Sequence, residues 1–209
     1  MTGFIADKKL IESYGLPFAK TFLVENYREL SKAALNLGYP LVLKLFSLQA
    51  SHKTNFGGVI TGLHSFKEAR QAFKKIKVNA LQNKVSFNGA LVQKQLNGLE
   101  LIIGGKKDAQ FGQTILFGLG GTSVEILKDF SLRVCPITKK DAGAMIKEIK
   151  TFKLLNGYRG KEKVNLKLLE ELLLKVNDLL LKENLKELDL NPLIAFDNKI
   201  TAVDVRIVR

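Results

Sequence analysis

The sequence predicts an α+β protein built from two lobes that meet near residue 90. Short apolar strands alternate with helical periodicity in the first part of the chain, and glycine-punctuated strands dominate its middle. A long amphipathic helix then precedes two final strands. We therefore assign residues 1–90 to an N-terminal helix plus a first lobe, and residues 91–209 to a second lobe.

Local signals support the elements of the first lobe. A helix over 3–14 is stopped by Gly15 and Pro17. Two later helices are predicted to begin at capping pairs, and each carries apolar residues at three- and four-residue spacing. The strands are predicted from short apolar runs. The capping pairs are Asn26 with Glu29 and Ser65 with Glu68, and the strands are expected at 19–24, 41–46 and 58–63.

The second lobe is expected to contain an antiparallel sheet, because its strands are short and separated by glycines. Helical spacing returns at 139–150 and again at 165–183. The chain ends in two predicted strands, KELDLNPLIAF and KITAVDVRIV. The other strands are expected at 89–96, 99–105, 114–121, 122–127 and 130–137.

Composition narrows the classes of function. The formal net charge of +13 favours an anionic partner, but the lysines are scattered and no aromatic–basic interleaving suited to stacking bases is present. We therefore expect no nucleic-acid partner. No apolar run approaches the ~18 residues needed to span a bilayer, so no membrane association is expected. The single cysteine, Cys135, rules out an internal disulfide and favours a cytoplasmic location.

A strand followed by a polar loop forms the first candidate site. Lys44 interrupts the aliphatic run LVLKLF, either as an edge-strand lysine whose ammonium reaches water or as a phosphate-binding group. The loop SHKTNFGGV places His52, a nucleophile toward phosphorus in its neutral form, shortly before Gly57 and Gly58. Because glycine N–H groups can bind phosphate oxygens, we interpret this stretch as a phosphate loop.

Two further constellations carry chemistry. The cluster FGLGG (117–121) is either a loop that closely approaches a ligand or a plain tight turn. In the final strands, alternation places Glu187, Asp189 and Asn191 on one face, and Asp204 shares a face with Arg206. Pairing of these strands would bring together oxygen ligands that suit Mg²⁺, whereas two solvated strand faces are the alternative.

The order of these pieces closely resembles the ATP-grasp β subunit of ADP-forming acetyl-CoA synthetase, a relative of succinyl-CoA synthetase. The matching stretches are GYPLVLK, SHKTNFGG, GLELIIGGKKDAQFGQTILFGLGGTSVEILKDFSLRVCPI, LLNGYRG, ELDLNPL and AVDVRI. The resemblance implies an ATP-grasp fold with a nucleotide cleft between two α+β lobes. It also implies an acid–thiol ligase that interconverts acyl-CoA, ADP and phosphate with acid, CoA and ATP. By the same resemblance, the ligase would be active only with a CoA-binding α subunit, in an α2β2 assembly.

The resemblance also implies roles for single residues. His52 would carry the phosphoryl group, and Lys44 would hold a phosphate of ATP or ADP. Asn191 and Asp204 would bind Mg²⁺. The stretch from Gln93 to Glu100 would line adenine and ribose. The other nucleotide-contacting residues implied by the resemblance are Gly57, Gly58, Gly120, Gly121, Glu125 and Arg133.

One residue departs from the family pattern. Asn55 stands where the histidine loop usually has an acid, and an amide adds no negative charge to stabilise an imidazolium. The alternative is therefore a non-catalytic nucleotide-sensing domain, or a fragment of a fused synthetase or acetyltransferase-like protein. An ATP-grasp ligase that uses an acyl-phosphate directly is another alternative, and phosphate retained on His52 would exclude it.

Overall fold

The chain divides into two compact units. In the computed structural model, residues 3–47, 57–121, 129–157 and 163–209 are described. Ala19–Gln95 forms one unit, here called the small unit, and Met1–Phe18 with Leu96–Arg209 forms the other, here called the large unit. Each unit has its own hydrophobic core.

This division differs from the predicted ranges at both ends of the first lobe. The N-terminal helix belongs with the large unit, because Ile11 is buried in that unit's core and Asp7 pairs with Arg209. Phe18 forms a parallel bridge with Ala202. The strand that follows residue 89 stays in the small unit, where it pairs with two other strands.

The predicted helices and strands match most of the observed elements. The helices are α1 (Gly3–Ser13), α2 (Tyr27–Leu37), α3 (Phe66–Gln82), α4 (Lys139–Glu148), α5 (Phe152–Leu155) and α6 (Leu166–Glu183). The strands are β1 (Thr21–Val24), β2 (Leu41–Leu45), β3 (Val59–Leu63), β4 (Ala90–Lys94), β5 (Leu99–Asp108), β6 (Gly112–Leu119), β7 (Phe130–Val134), β8 (Glu187–Phe196), β9 (Lys199–Ala202) and β10 (Arg206–Val208). The strand predicted at 122–127 lies outside the described residues.

The small unit is an antiparallel sheet with helices on one face. Its strand order is β1-β4-β2-β3. Both predicted caps are confirmed, since the Asn26 side chain accepts from the Glu29 N–H and that of Ser65 from the Glu68 N–H. The core lies between α2, α3 and the β2 face that carries the leucines at 41, 43 and 45. The opposite face of β2 is therefore left for other side chains.

The large unit is a larger antiparallel sheet, again with helices against one face. Its strand order is β10-β8-β5-β6-β7, and β9 pairs with β8. α4 and α6 bury their apolar stripes on that face. A Cβ at Gly105 would lie 2.4 Å from Leu180, so only glycine allows α6 to approach β5 this closely. None of the helices in the described part of the chain has the length and apolarity required to span a bilayer.

Two sequence predictions need correction. The second of the two final strands is in fact two strands, because residues 203–205 leave the sheet between β9 and β10. Asp204 therefore lies in a connection and does not share a strand face with Arg206. The short helix α5 was not predicted, since a single turn carries too little periodicity to be recognised.

Candidate functional site

Lys44 is buried in the interior of the small unit's sheet. It pairs with Val59 of β3 on one side and with Leu91 of β4 on the other, so β2 is not an edge strand. Lys44 is only 7 % exposed, which excludes the interpretation of a lysine extended into water. It lies on the face opposite the helices. A phosphate-binding role for Lys44 stays a prediction.

Gln93 and the glycine pair lie in the same unit. Gln93 pairs with Val42 of β2, and its side-chain amide donates to Thr21 Oγ1 at 2.9 Å. Gly58 accepts a hydrogen bond from the Leu45 N–H at 2.6 Å, which joins the ends of β2 and β3. Gly57 has φ +71°, a conformation that favours glycine. The predicted phosphate loop therefore ends where the end of β2 is hydrogen-bonded to the residue that precedes β3.

The second glycine cluster brings two predicted site residues together in the large unit. The Gly121 N–H donates to Asn191 Oδ1 at 3.1 Å, and the Gly120 N–H donates to the Glu100 carbonyl at 2.7 Å. A Cβ on Gly121 would lie 1.7 Å from Glu100 Oε2. The cluster therefore contacts both a predicted nucleotide residue and a predicted metal ligand.

Acidic side chains collect beside Asn191. Leu188 and Leu190 are buried in the core, so alternation along β8 sends Glu187, Asp189 and Asn191 to the other face, as predicted. Burial raises the pKa of the Asp189 carboxyl to about 6, and the negative charge of Asp204 adds to this increase. Glu187 acts in the same direction, although it also pairs with Arg206 at 3.2 Å.

This donor set fits a divalent cation. Asp189 Oδ1 is buried and accepts no hydrogen bond within the described residues, and a second carboxylate, Asp204, lies close enough to repel it. Asn191 adds an amide oxygen. Across the described ranges no group of three or more His, Cys, Asp or Glu side chains forms a metal site by itself. Mg²⁺ typically uses one or two carboxylates and completes its coordination with water and substrate phosphates. The sequence pattern had placed Asp189 on this face without assigning it as a ligand.

Arg133 lies apart from these residues. It pairs with Ile115, a core residue, so its side chain is directed to the sheet face that the helices cover. There its guanidinium contacts Glu148 at the end of α4 and donates to the Leu132 carbonyl. Asp189 lies on the opposite face, since it pairs with Gly104 and that glycine pairs with Leu116. The structure therefore does not bring Arg133 together with Asn191. The predicted positions His52 and Glu125 lie outside the described residues.

Comparison with known proteins identifies the family. The ATP-grasp domain model matches residues 4–208. The β subunit of acetate–CoA ligase [ADP-forming] I from Pyrococcus furiosus is 41% identical over 205 residues, covering 96% of this chain and 88% of that subunit. Acetate–CoA ligase [ADP-forming] II from Archaeoglobus fulgidus is 39% identical over 202 residues, which cover 96% of this chain but 29% of that protein.

Solved structures of one further relative, acetyl-coenzyme A synthetase 1 of Ca. Korarchaeum cryptofilum, have the same fold. Its complex with coenzyme A and Ca-AMPCP superposes with a TM-score of 0.92 at 40% identity, covering 98% of this chain and 91% of that one. Its complex with coenzyme A and Mg-AMPPCP, in which a phosphohistidine segment points towards the nucleotide-binding site, gives a TM-score of 0.81 at 39% identity and the same coverage. The chain described here belongs to the ATP-grasp family and, within it, to the β subunits of ADP-forming acetate–CoA ligases.

Proposed function

We propose that this chain is the nucleotide-binding subunit of an ADP-forming acyl-CoA synthetase, and that it transfers a phosphoryl group between His52 and ADP. The overall reaction is acyl-CoA + ADP + phosphate = acid + CoA + ATP. The observation that carries the proposal is the double contact of the glycine cluster, in which Gly121 donates to Asn191 and its neighbour donates to Glu100. Family membership supports the reaction class.

Each group then has a physical task in the transfer. In the direction of ATP use, a P–N bond forms to the neutral imidazole of His52 while the bond from phosphorus to the leaving ADP oxygen breaks. Lys44 would neutralise charge on the phosphates, and Gly57 and Gly58 would offer backbone N–H groups. Mg²⁺, held by Asn191 and the neighbouring carboxylates, would supply charge neutralisation at the phosphates.

The other predicted site residues are proposed to contact the nucleotide. Gln93, Glu100, Gly120 and Gly121 would contact its base, ribose or phosphates. Supporting this assignment, Lys44 and Gln93 lie on the small unit's helix-free sheet face, and Asp189 and Asn191 lie on the corresponding face of the large unit. A site on such a face is well positioned, because the other face of the same strands packs against a hydrophobic core.

The proposal includes a separate partner. Because the Pyrococcus relative is a β subunit, and because this chain covers 29% of the longer Archaeoglobus protein, we assign the acyl-CoA chemistry to a CoA-binding α subunit. An α2β2 assembly and a cytoplasmic location are parts of the proposal. Motion of the His52 segment would connect the nucleotide to the distant acyl-CoA site, consistent with the phosphohistidine segment of the Korarchaeum enzyme.

Phosphohistidine detection after incubation with Mg-ATP tests the proposal. The wild-type chain should acquire an acid-labile phosphate, His52→Ala should acquire none, and both should bind Mg-ADP with similar affinity. His64→Ala is the matched control, because the chain has only these two histidines and His64 contacts its surroundings through its backbone N–H. Nucleotide binding with no phosphate on the wild-type chain would refute the transfer and indicate the nucleotide-sensing alternative.

A further inference from the structure

Gln93 has a side-chain partner on the strand beside it. In the small unit β4 pairs with β1, and Gln93 stands directly opposite Thr21 in this register. Val92 is buried in the unit's core, so alternation places the Gln93 side chain on the sheet face opposite the helices. Its Nε2 atom donates to Thr21 Oγ1 at 2.9 Å. Because Gln93 is buried, this hydrogen bond is made away from bulk water, where an unmatched amide would be costly.

The Thr21 hydroxyl can only accept from Gln93. A hydroxyl has one proton to donate, and that of Thr21 goes to the Ala19 carbonyl at 2.7 Å. The Thr21 oxygen therefore offers Gln93 its lone pairs and no proton. A reversed Gln93 amide would place its oxygen against the Thr21 oxygen with no hydrogen between them, which is repulsive. This pair of hydrogen bonds thus decides which end of the amide is the nitrogen, although the two ends have nearly the same shape.

An amide in this fixed orientation distinguishes between the two purine bases. With its NH2 group held by Thr21, Gln93 directs its side-chain oxygen away from Thr21. An amide oxygen accepts up to two hydrogen bonds and donates none. Adenine carries an amino group that donates at C6, whereas guanine carries a carbonyl oxygen that accepts at the same position. The Gln93 oxygen therefore matches adenine and repels guanine, while a reversed amide would match guanine.

We propose that Thr21 determines the choice of nucleotide, because it holds the Gln93 amide in the orientation that accepts from the amino group of adenine. This inference rests on the proposed function, in which Gln93 contacts the base, and it adds the selection of ADP over GDP. Thr21 acts through Gln93, so it is a positioning residue. Sequence reasoning did not assign it to the site, because its contact depends on the pairing of β1 with β4.

The ratio of the Kd for Mg-GDP to the Kd for Mg-ADP, measured by isothermal titration calorimetry, tests the inference. The wild-type chain should bind Mg-ADP at least about tenfold more tightly than Mg-GDP. Thr21→Val has nearly the same shape but offers no acceptor, so the amide can reverse and the ratio should fall by about three- to tenfold, the effect of one hydrogen bond. Thr21→Ser keeps the hydroxyl and should keep the ratio. A merely structural defect would weaken the binding of both nucleotides and leave the ratio unchanged.

Thr114→Val is the matched control. The Thr114 hydroxyl donates to the Lys106 carbonyl at 2.7 Å within the large unit's sheet, and neither residue is assigned to the nucleotide. This variant should keep the wild-type ratio. An unchanged ratio in Thr21→Val would overturn the inference and leave the proposed function standing, and so would a wild-type chain that binds Mg-GDP as tightly as Mg-ADP or more tightly. A wild-type chain that binds neither nucleotide would refute the proposed function, and the inference with it.

Discussion

Replacing Gly121 with alanine should disturb two predicted site residues, Glu100 and Asn191, at once. Gly121 has φ +66°, where an alanine costs about 1–2 kcal/mol of backbone strain. The new Cβ would lie 1.7 Å from Glu100 Oε2, half of the 3.4 Å at which ordinary contact begins. Glu100 has a flexible, exposed side chain, so its carboxylate can move away and the stability loss should remain near the strain value. For a chain of this length, that loss lowers the Tm by about 2–8 °C.

The effect on nucleotide binding should be larger than the effect on stability. Glu100 must leave its position, and the Gly121 N–H that donates to Asn191 Oδ1 shifts with the distorted backbone. Loss of a partner that orients a metal ligand typically weakens metal affinity by about 10- to 100-fold. We therefore expect the Kd for Mg-ADP to rise at least about tenfold in Gly121→Ala, and Mn²⁺ binding in the presence of ADP to weaken in proportion.

Gly112→Ala separates these effects. Gly112, the first residue of β6, has φ +77°, and a Cβ there would meet nothing within 4 Å. The control thus has the same backbone strain without the collision with Glu100. Isothermal titration calorimetry with Mg-ADP and thermal unfolding should show a similar Tm loss in both variants and a weakened Kd in Gly121→Ala alone. Equal nucleotide affinity in the two variants would refute the assignment of this cluster to the site.

Two other predictions concern Lys44 and Cys135. Lys44→Met should weaken Mg-ADP binding by about 10- to 100-fold, the range for a hydrogen bond to a charged group. Calorimetry of this variant checks the expectation, and unchanged affinity would contradict the phosphate role. Burial raises the pKa of the Cys135 thiol to about 11, so its alkylation by iodoacetamide at pH 8 should be roughly a hundred-fold slower than that of an ordinary cysteine. The rate should still be rising at pH 10, and a plateau below pH 9 would show that the pKa of the thiol is not raised.

Local signals in the sequence were sufficient for most of the fold. The two capping pairs fixed the starts of α2 and α3 because a cap needs only residues three positions apart. The alternation in β8 placed the leucines in the core and the polar residues opposite them. The break between β9 and β10 was missed, since Val203 and Val205 continue the apolar alternation although the backbone leaves the sheet.

Strand alternation in the sequence was sufficient to predict which site residues share a sheet face, but not how the strands pair. Lys44 could be placed on the face opposite its leucine neighbours, but its position in an interior strand depends on pairing with β3 and β4, which are distant in sequence. Arg133 was assigned to the nucleotide because it follows the glycine loop in sequence. Register in fact directs it to the helix-covered face, where it contacts Glu148. The register between neighbouring strands decides which face of the sheet a side chain joins, and the sequence of one strand does not contain that information.

The same register that builds the core therefore also assembles the site. In β8, Leu188 and Leu190 are buried, and Asp189 and Asn191 lie on the opposite face. A slip of one residue against β5 would bring both polar side chains into the core and both leucines out of it. Burial of two leucines, at about 2–3 kcal/mol each, opposes such a slip. Burial of the leucines therefore keeps Asp189 on this face despite the repulsion between its carboxylate and that of Asp204.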